Sequence, residues 1–251
     1  MKWKQLSSRW LKLRRTNALT PEFTKAVQPR VIANKNFNKI FCIGYNKTGT
    51  TTLETVLRLY GYNMPNQQQQ EIRLSKSTFS TNYDEFTSFC SNYDAFQDMP
   101  FSQGLTYVAA DAIFPNSKFI LSERPANSWY ESLCKFHKKT FNLDDISKLT
   151  EADVLEKFNY LYPGYSHSNK KRLLSSFENN STKVNWDKLY DADWYIDMYT
   201  RRNEEIKRYF LNAPEKLLVI DVTQEKTTEK ICRFLNVPTE FIIDMPHSNK
   251  T

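Results

Sequence analysis

A glycine- and threonine-rich stretch near the start of the chain is the segment best suited to chemistry. Residues 44–53 read GYNKTGTTTL. A nucleotide-binding phosphate loop follows G-x-x-x-x-G-K-[ST], with its lysine directly after the second glycine. Gly44 and Gly49 keep the five-residue step of that pattern, but Thr50 occupies the lysine position and the lysine is Lys47. The segment therefore predicts an anion-binding loop whose cation lies earlier than in nucleotide-binding loops.

Such a loop needs a strand before it and a helix after it, and the flanking sequence predicts both. Residues 38–44 (NKIFCIG) form a short apolar run typical of a buried strand. Residues 53–60 carry apolar side chains at helical spacing and are followed by a glycine. This context offers an anion the N–H groups of a helix N-terminus and the hydroxyls of Thr48, Thr50 and Thr51.

The sequence lacks a clear set of residues for magnesium-dependent phosphoryl transfer. In kinases the loop lysine bridges the β- and γ-phosphates, while a Ser or Thr and a downstream Asp hold Mg²⁺. Asp98 and Asp221 both end predicted strands, but Asp98 precedes a turn with Pro100 and Asp221 lies far along the chain. The pattern favours the metal-free transfer of an already activated group. An atypical P-loop kinase and a non-catalytic nucleotide-binding protein remain the alternatives.

A second pair of candidate anion ligands follows a later predicted strand. Residues 117–123 (SKFILSE) predict that strand, Arg124 comes directly after it, and Ser132 follows eight residues later on a predicted helix that also carries Trp129. An arginine offers a planar fork of donors to a phosphate dianion. Taken alone, Arg124 could equally form a surface ion pair, and Ser132 could equally be an ordinary serine on a helix surface.

The loop resembles a known family motif. Residues 47–51 (KTGTT) are similar to the K-[ST]-G-T-T signature of sulfotransferases that use 3′-phosphoadenosine 5′-phosphosulfate (PAPS). In that family the loop holds the donor's 5′-phosphosulfate, and its lysine neutralises the leaving oxygen without a metal. The resemblance implies that Lys47 is the catalytic cation and that Lys47, Thr48, Gly49, Thr50 and Thr51 bind the donor.

The spacing of Arg124 and Ser132 also resembles the family, whose bacterial-type members read R-D-P-x-x-W-y-x-S. The resemblance implies that both residues bind the donor's 3′-phosphate. Pro125 stands where the acidic residue of that pattern is expected. Thr52 stands where cytosolic animal members carry a tryptophan that stacks on adenine, so the adenine is held differently here.

The similarity extends from about residue 39 to 251, and it is weakest over 63–92 and 142–183. It includes LLVIDVTQEKTTEKICRFLNVP and the closing MPHSNKT. Cytosolic members take the acceptor's proton with a histidine at a strand end, followed by x-Pro. The matching position in QDMP is Asp98, which the resemblance implies as the base, with a structural turn-capping role as the alternative. His137 is expected to be a solvated helix residue.

The wider sequence predicts an α/β fold: a P-loop-type parallel sheet flanked by helices, with a helical or irregular insertion over the active site. Predicted strands and helices alternate, with strands at 38–44, 93–98, 117–123 and 217–221, and helices up to residue 114, at 186–211 and at 227–236. Residues 63–91 are expected to be surface loop with a short helix. The predicted division is a basic arm over 1–37 and one domain over 38–251, with 142–183 as an acceptor-side insertion or lid.

Charge and cysteine content indicate the cellular compartment. The 251 residues carry a net charge of +7 and four scattered cysteines without a CxxC spacing. That cysteine usage fits a reducing compartment. No apolar run reaches the length of a membrane-spanning helix, and no signal peptide is evident. These features predict a cytoplasmic protein, whose basic amphipathic arm packs on the domain or contacts an anionic membrane surface.

The sequence as a whole predicts transfer of the sulfuryl group from PAPS to a hydroxyl or amine of a carbohydrate or small molecule, with 3′-phosphoadenosine 5′-phosphate (PAP) as product. No metal and no nucleic-acid partner are expected, because no nucleic-acid motif is present and the donor site accounts for much of the positive charge. Core packing is preferred over sugar stacking for most aromatic residues of the acceptor side, which are Tyr160, Tyr162, Tyr165, Trp186, Tyr190, Trp194 and Tyr195.

Overall fold

The structure is a computed structural model that describes residues 35–246. The predicted basic arm therefore lies almost entirely outside the described residues. The closing segment from His247 to Thr251 lies outside them as well.

The described chain alternates strands with helices. The strands are β1 (Ile40–Cys42), β2 (Ala95–Phe96), β3 (Lys118–Ser122), β4 (Ser175–Glu178), β5 (Ser181–Val184) and β6 (Leu217–Ile220). The α-helices are α1 (Thr50–Leu59), α2 (Gln67–Phe79), α3 (Tyr83–Ser91), α4 (Thr106–Ile113), α5 (Ala126–Phe141), α6 (Glu151–Lys157), α7 (Tyr165–Leu173), α8 (Ala192–Tyr209) and α9 (Glu229–Leu235). Short 3₁₀ turns lie at Trp186–Lys188, Pro214–Lys216 and Thr239–Phe241.

Four of the strands form one parallel sheet in the order β2-β1-β3-β6. Ile40 pairs with Ala95 on one side and with Lys118 on the other, and Ser122 pairs with Ile220. The carboxyl ends of the strands therefore meet at one edge, which is where parallel sheets bind ligands. The predicted α/β fold with a parallel sheet flanked by helices is confirmed. Strands β4 and β5 form a separate antiparallel hairpin.

Both faces of the sheet are covered, and the alternation along β1 decides which side chain faces which layer. Ile40 and Cys42 belong to a buried cluster shared with α1 and α9. Phe41 and Ile43 belong to the opposite cluster, shared with α2, α3, α4 and α8. All four side chains are fully buried. A strand buried on both faces reads as a continuous apolar run, and this explains why residues 38–44 were recognisable in the sequence.

Residues 63–91 were expected to be surface loop with a short helix, and that prediction is wrong. It forms the two helices α2 and α3, and each begins after an asparagine whose side chain accepts a backbone N–H: Asn66 from Gln69 and Asn82 from Glu85. Helix α2 buries Leu74 as its one apolar side chain and so shows little helical periodicity in the sequence, whereas α3 buries Phe86, Phe89 and Cys90 at helical spacing. Tertiary packing stabilises both helices.

Other boundaries move by a few residues. Strand β2 has only two residues, because the chain turns at Asp98. Helix α8 begins at Ala192 rather than 186, since the Asp191 side chain accepts the N–H of Trp194 and caps the helix. Residues 142–183 contain α6, α7 and the β4–β5 hairpin. Within residues 35–246, no helix combines the length and apolar character needed to cross a bilayer.

Candidate active site

The phosphate-type loop joins β1 to α1 at the carboxyl edge of the sheet, and its glycines are required by geometry. A Cβ at Gly44 would lie 2.2 Å from the carbonyl oxygen of Ser122, so only glycine lets the loop approach β3 this closely. Gly49 has φ +93°, and a Cβ there would lie 2.2 Å from a methyl group of Val222. The loop is therefore held against β3 and the segment after β6.

The first turn of α1 presents N–H groups to the loop. Gly49 is the N-cap residue and supplies no side-chain acceptor. Among the described residues, no acceptor receives the backbone N–H groups of Gly49, Thr50 and Thr51. The Thr48 hydroxyl contacts the carbonyl oxygen of Tyr45 at 2.5 Å and Ser122 Oγ at 2.7 Å in the protein interior. Thr48 thus shapes the loop with its side chain and has only its N–H group left for an anion.

Lys47 lies in the loop with a left-handed backbone, φ 73°. Its Nζ atom is 4.3 Å from the centre of the Phe136 ring on α5. Burial lowers the pKa of Lys47, the nearby Asp98 opposes that change, and Arg124 reinforces it. The side chain is therefore a partly desolvated cation, whose attraction for an anion is stronger than that of a lysine in water.

Arg124 follows β3 and faces the same loop. Its Nη1 atom is 3.5 Å from the carbonyl oxygen of Lys47. Its Nε atom is buried and has no hydrogen-bond partner among residues 35–246. The Tyr199 hydroxyl receives the backbone N–H of Arg124 at 2.9 Å and so fixes the backbone from α8. A cavity of about 410 Å³ lies beside it, between the ends of β3 and β6. A guanidinium donor without a protein partner among the described residues fits the binding of an anion, although Glu123, Glu204 and Asp221 also line the neighbouring cavity.

Ser132 lies half-buried in α5 and forms no hydrogen bond with the described residues. The structure therefore brings Lys47 and Arg124 together through the loop. It places Ser132 two turns into the helix that follows Arg124, without joining its hydroxyl to either of them.

Asp98 lies two residues beyond β2, with φ 65° and only 8% of its surface exposed. Its carboxylate accepts hydrogen bonds from the Asn46 side chain, from Gln67 at 2.8 Å and from the N–H of Met99 at 2.9 Å. Asn46 precedes Lys47 in the loop. Asp98 is thus brought to the active-site edge, and it also helps to fix the loop.

Two residues at this site were missed or left without a role in the sequence interpretation. Asn46 links Asp98 to Ser102, whose hydroxyl donates to the Asn46 side chain at 2.9 Å. Trp129 donates from Nε1 to the Asn46 carbonyl oxygen at 3.0 Å and stacks on Tyr199 at 4.3 Å. Trp129 was noted only for its spacing. Its hydrogen bond holds the residue next to Lys47, which makes it a support of the loop.

His137 is not a solvated helix residue, and that expectation is wrong. Its Nδ1 atom lies 2.8 Å from the Tyr190 hydroxyl, and it lines a cavity of about 120 Å³ together with Lys170. Burial and the positive charges of Lys170 and Lys47 hold the pKa of His137 well below its ordinary value. The imidazole is therefore neutral at pH 7.

The aromatic residues of the acceptor side are largely packed into a cluster, as preferred from the sequence. Tyr190 and Tyr195 are buried and stack with their ring centres 5.5 Å apart. Trp186 stacks on His167 at 5.5 Å. Tyr165 is buried as well, but it also lines the cavity of His137. Core packing therefore accounts for most of these rings, while a few reach the cavity.

Comparison with models of protein families matches residues 39–251 to the sulfotransferase domain. The chain belongs to the sulfotransferase-domain family. A search of curated proteins finds no match. Family membership supports sulfuryl transfer in general. Within residues 35–246, no group of three or more His, Cys, Asp or Glu side chains is arranged to hold a metal ion.

Proposed function

We propose that this sulfotransferase-domain protein transfers the sulfuryl group of PAPS to a hydroxyl or amine of a carbohydrate or other small acceptor. The observation that carries the proposal is the loop from Gly44 to Gly49. It joins a partly desolvated Lys47 to helix N–H groups that have no acceptor among residues 35–246, and Arg124 faces it with a donor that has no partner in the same part of the chain. Positive groups and free N–H donors at one edge of a sheet favour an anionic ligand.

In this proposal the loop holds the 5′-phosphosulfate of the donor. Lys47 supplies its ammonium group, Gly49, Thr50 and Thr51 supply N–H groups or hydroxyls, and Thr48 contributes through its N–H only. These donors lie on the rigid junction of β1 and α1, so little reorganisation accompanies binding.

The donor's second phosphate has its own candidates. Arg124 holds the 3′-phosphate with Nε and the rest of its guanidinium fork, while Ser132 adds a hydroxyl from α5. The cavity beside Arg124 offers about 410 Å³ between the ends of β3 and β6 for the nucleoside portion. This arrangement separates the end of the donor that reacts from the end that is recognised.

PAPS supplies an activated sulfur: the acceptor oxygen or nitrogen bonds to it, the bond to the 5′-phosphate oxygen breaks with its electron pair, and PAP leaves. Lys47 stabilises the negative charge that develops on the leaving phosphate oxygen. Because its surroundings exclude part of the solvent, this charge is screened less than in water.

The acceptor's proton must leave as the new bond forms, and we assign its acceptance to Asp98. The carboxylate lies one hydrogen bond from Asn46, the neighbour of Lys47. A purely structural role competes with this assignment, because the same hydrogen bond fixes the loop. Replacement by asparagine separates the two, since an amide keeps an oxygen acceptor but cannot take the proton.

Differential stabilisation by ligands tests the function directly. Purified protein is unfolded with urea in the presence of PAP, ATP or RNA. PAP at about 100 times its dissociation constant is expected to add roughly 2.7 kcal/mol to the free energy of unfolding. Labelled PAPS is then offered with a panel of glycans, phenols and amines in EDTA. Stabilisation by ATP but not by PAP, without transfer of label from PAPS to any acceptor, supports a kinase and overturns the proposal.

A further inference from the structure

A cavity of about 120 Å³ opens beside the loop on its acceptor side. Asn46 lines it from the loop, Phe136 from α5, and Ser166 and Leu173 from α7. Phe136 is the residue whose ring lies 4.3 Å from Lys47 Nζ. An apolar protein cavity of about 150 Å³ is large enough to hold benzene. The cavity thus has room for about one six-membered ring next to the proposed catalytic cation.

Aromatic rings dominate the wall of this cavity. They include Tyr45, Trp129, Phe136, Phe158 and Tyr165. Tyr45 lies against Trp129 with ring centres 5.4 Å apart, so this part of the wall is firmly packed. Planar apolar groups pack well against such a surface. A single aromatic ring suits the volume and the wall better than a saccharide, which needs a hydrogen-bond partner for each buried hydroxyl.

One wall residue carries a buried amine. Lys170 on α7 is only 6% exposed, and its amine donates to the Tyr195 hydroxyl at 2.9 Å. The same amine lies 4.4 Å from the centre of the Tyr190 ring. Burial lowers the pKa of Lys170 to about 7. Ring faces and one hydroxyl compensate a buried ammonium group only in part.

Among the described residues, no carboxylate pairs with Lys170 in this cavity. Within residues 35–246, no Asp or Glu lines the cavity, and none forms an ion pair with Lys170. Arg172, which also lines the cavity, adds a second positive charge. A small aromatic-walled cavity with two basic side chains, and with no carboxylate from residues 35–246, has the chemistry of a site for an aromatic acid, since a bound carboxylate favours the protonated form of Lys170.

We propose that this cavity is the acceptor site and that it takes a single-ring hydroxy acid of hydroxybenzoate size, with the acceptor's carboxylate against Lys170 and its hydroxyl toward Lys47. The transfer step rests on the proposed function, whereas binding of the acid does not. In that step the hydroxyl oxygen bonds to sulfur, PAP leaves with the electron pair of the broken bond, and the hydroxyl proton passes to the base. The product is an aryl sulfate that retains its carboxylate.

The binding test compares three probes by calorimetry: 4-hydroxybenzoate, 4-methylphenol, which lacks the carboxylate, and the larger sugar N-acetylglucosamine. Wild-type protein should bind 4-hydroxybenzoate at least about tenfold more tightly than 4-methylphenol, because only the acid pairs with the buried ammonium group. Lys170→Met keeps the length of the side chain and removes the charge, so it should abolish this preference. Lys171→Met, at the exposed neighbouring position, is the matched control and should retain it.

Equal binding of acid and phenol by wild-type protein overturns the proposal, and so does a preference that survives in Lys170→Met. Tighter binding of the sugar also overturns it. The wild-type ranking of the probes decides the matter even if a variant fails to fold. Transfer from labelled PAPS is measured in parallel with PAP binding. Binding of the acid without PAP binding counts against the proposed function alone, whereas sulfation of the sugar but not the acid counts against this acceptor.

Discussion

Replacement of Arg124 by alanine tests donor recognition most sharply, because the structure separates its effect on binding from its effect on folding. Within the part of the chain that the structure describes, the guanidinium makes one long hydrogen bond to the loop, 3.5 Å from Nη1 to the Lys47 carbonyl oxygen, and its Nε atom has no partner. Arg124→Ala therefore removes little native hydrogen bonding. We expect the free energy of unfolding to change by less than about 1 kcal/mol.

The binding of PAP should respond far more strongly. A charge-assisted hydrogen bond to an ionised group contributes about 1.5–3 kcal/mol, and about 1.4 kcal/mol corresponds to a factor of ten. The dissociation constant of PAP should therefore rise roughly 10- to 140-fold in Arg124→Ala. Adenosine 5′-phosphosulfate lacks the 3′-phosphate, so its affinity should change by less than about threefold, well below the PAP effect.

Isothermal titration of both nucleotides against wild-type protein, Arg124→Ala and Arg201→Ala provides the measurement. Arg201 lies on α8 with 64% of its side chain exposed and forms a surface ion pair with Asp197. Its replacement removes the same charge away from the loop and should leave both affinities nearly unchanged. Equal losses for the two nucleotides in Arg124→Ala, or equal losses of PAP affinity in the two variants, would refute the assignment of the 3′-phosphate to Arg124.

The remaining predictions concern the loop and its surroundings. Lys47→Ala should stay folded, still bind PAP and lose most transfer activity, because its charge matters chiefly as charge develops on the leaving oxygen; near-normal turnover in EDTA-treated Lys47→Ala would contradict this role. Asp98→Asn should lower kcat by roughly 10²–10⁴-fold with PAP affinity retained, and normal turnover would show that the base is another residue. In urea denaturation, Gly49→Ala should lose about 1–3 kcal/mol more free energy of unfolding than Gly164→Ala. Both glycines have a positive φ, but only at Gly49 does a neighbouring side chain lie within 4 Å of the added Cβ. Equal losses would argue against the close packing of the loop. Because the pKa of His137 is lowered in the folded protein, its contribution to the free energy of unfolding is fully present above about pH 6.5 and is lost as the pH falls further. Urea denaturation from pH 7.5 to 5.5 should therefore show a weaker dependence of the unfolding free energy on pH in His137→Gln than in wild-type protein. An unchanged dependence would show that another group is responsible.

The loop and its two flanking elements were predictable because their signals are local. The glycine spacing of the loop and the apolar pattern on either side of it are visible within about twenty residues, although the contacts that require Gly44 and Gly49 are with Ser122 and Val222. The apolar run of β1 is continuous because both faces of the strand are buried. Chain order and strand–helix alternation then predict a parallel sheet, whose carboxyl edge is a binding edge in any fold of this kind.

Short-range pattern was a poor guide where tertiary packing stabilises the element. Helices α2 and α3 contact the sheet through a few buried apolar residues, including Leu74 and Phe86. The polar residues around these apolar positions, such as the glutamines at 67–70, suggested a surface loop. Gln67 nevertheless reaches the Asp98 carboxylate at 2.8 Å. Helical propensity alone does not report such a contact, because its partner lies 31 residues away.

The sequence by itself determined the sheet, the glycine- and threonine-rich loop and the resemblance that led to the sulfotransferase-domain family. Only the tertiary structure decided what surrounds that loop. Asn46 meets Asp98 across 52 residues, and His137 meets Tyr190 across 53. Lys170 is a buried amine because α7 packs against Tyr190 and Tyr195. Burial and charge at these positions arise from segments that are distant in the chain, and they set the protonation state of each group only after the chain has folded.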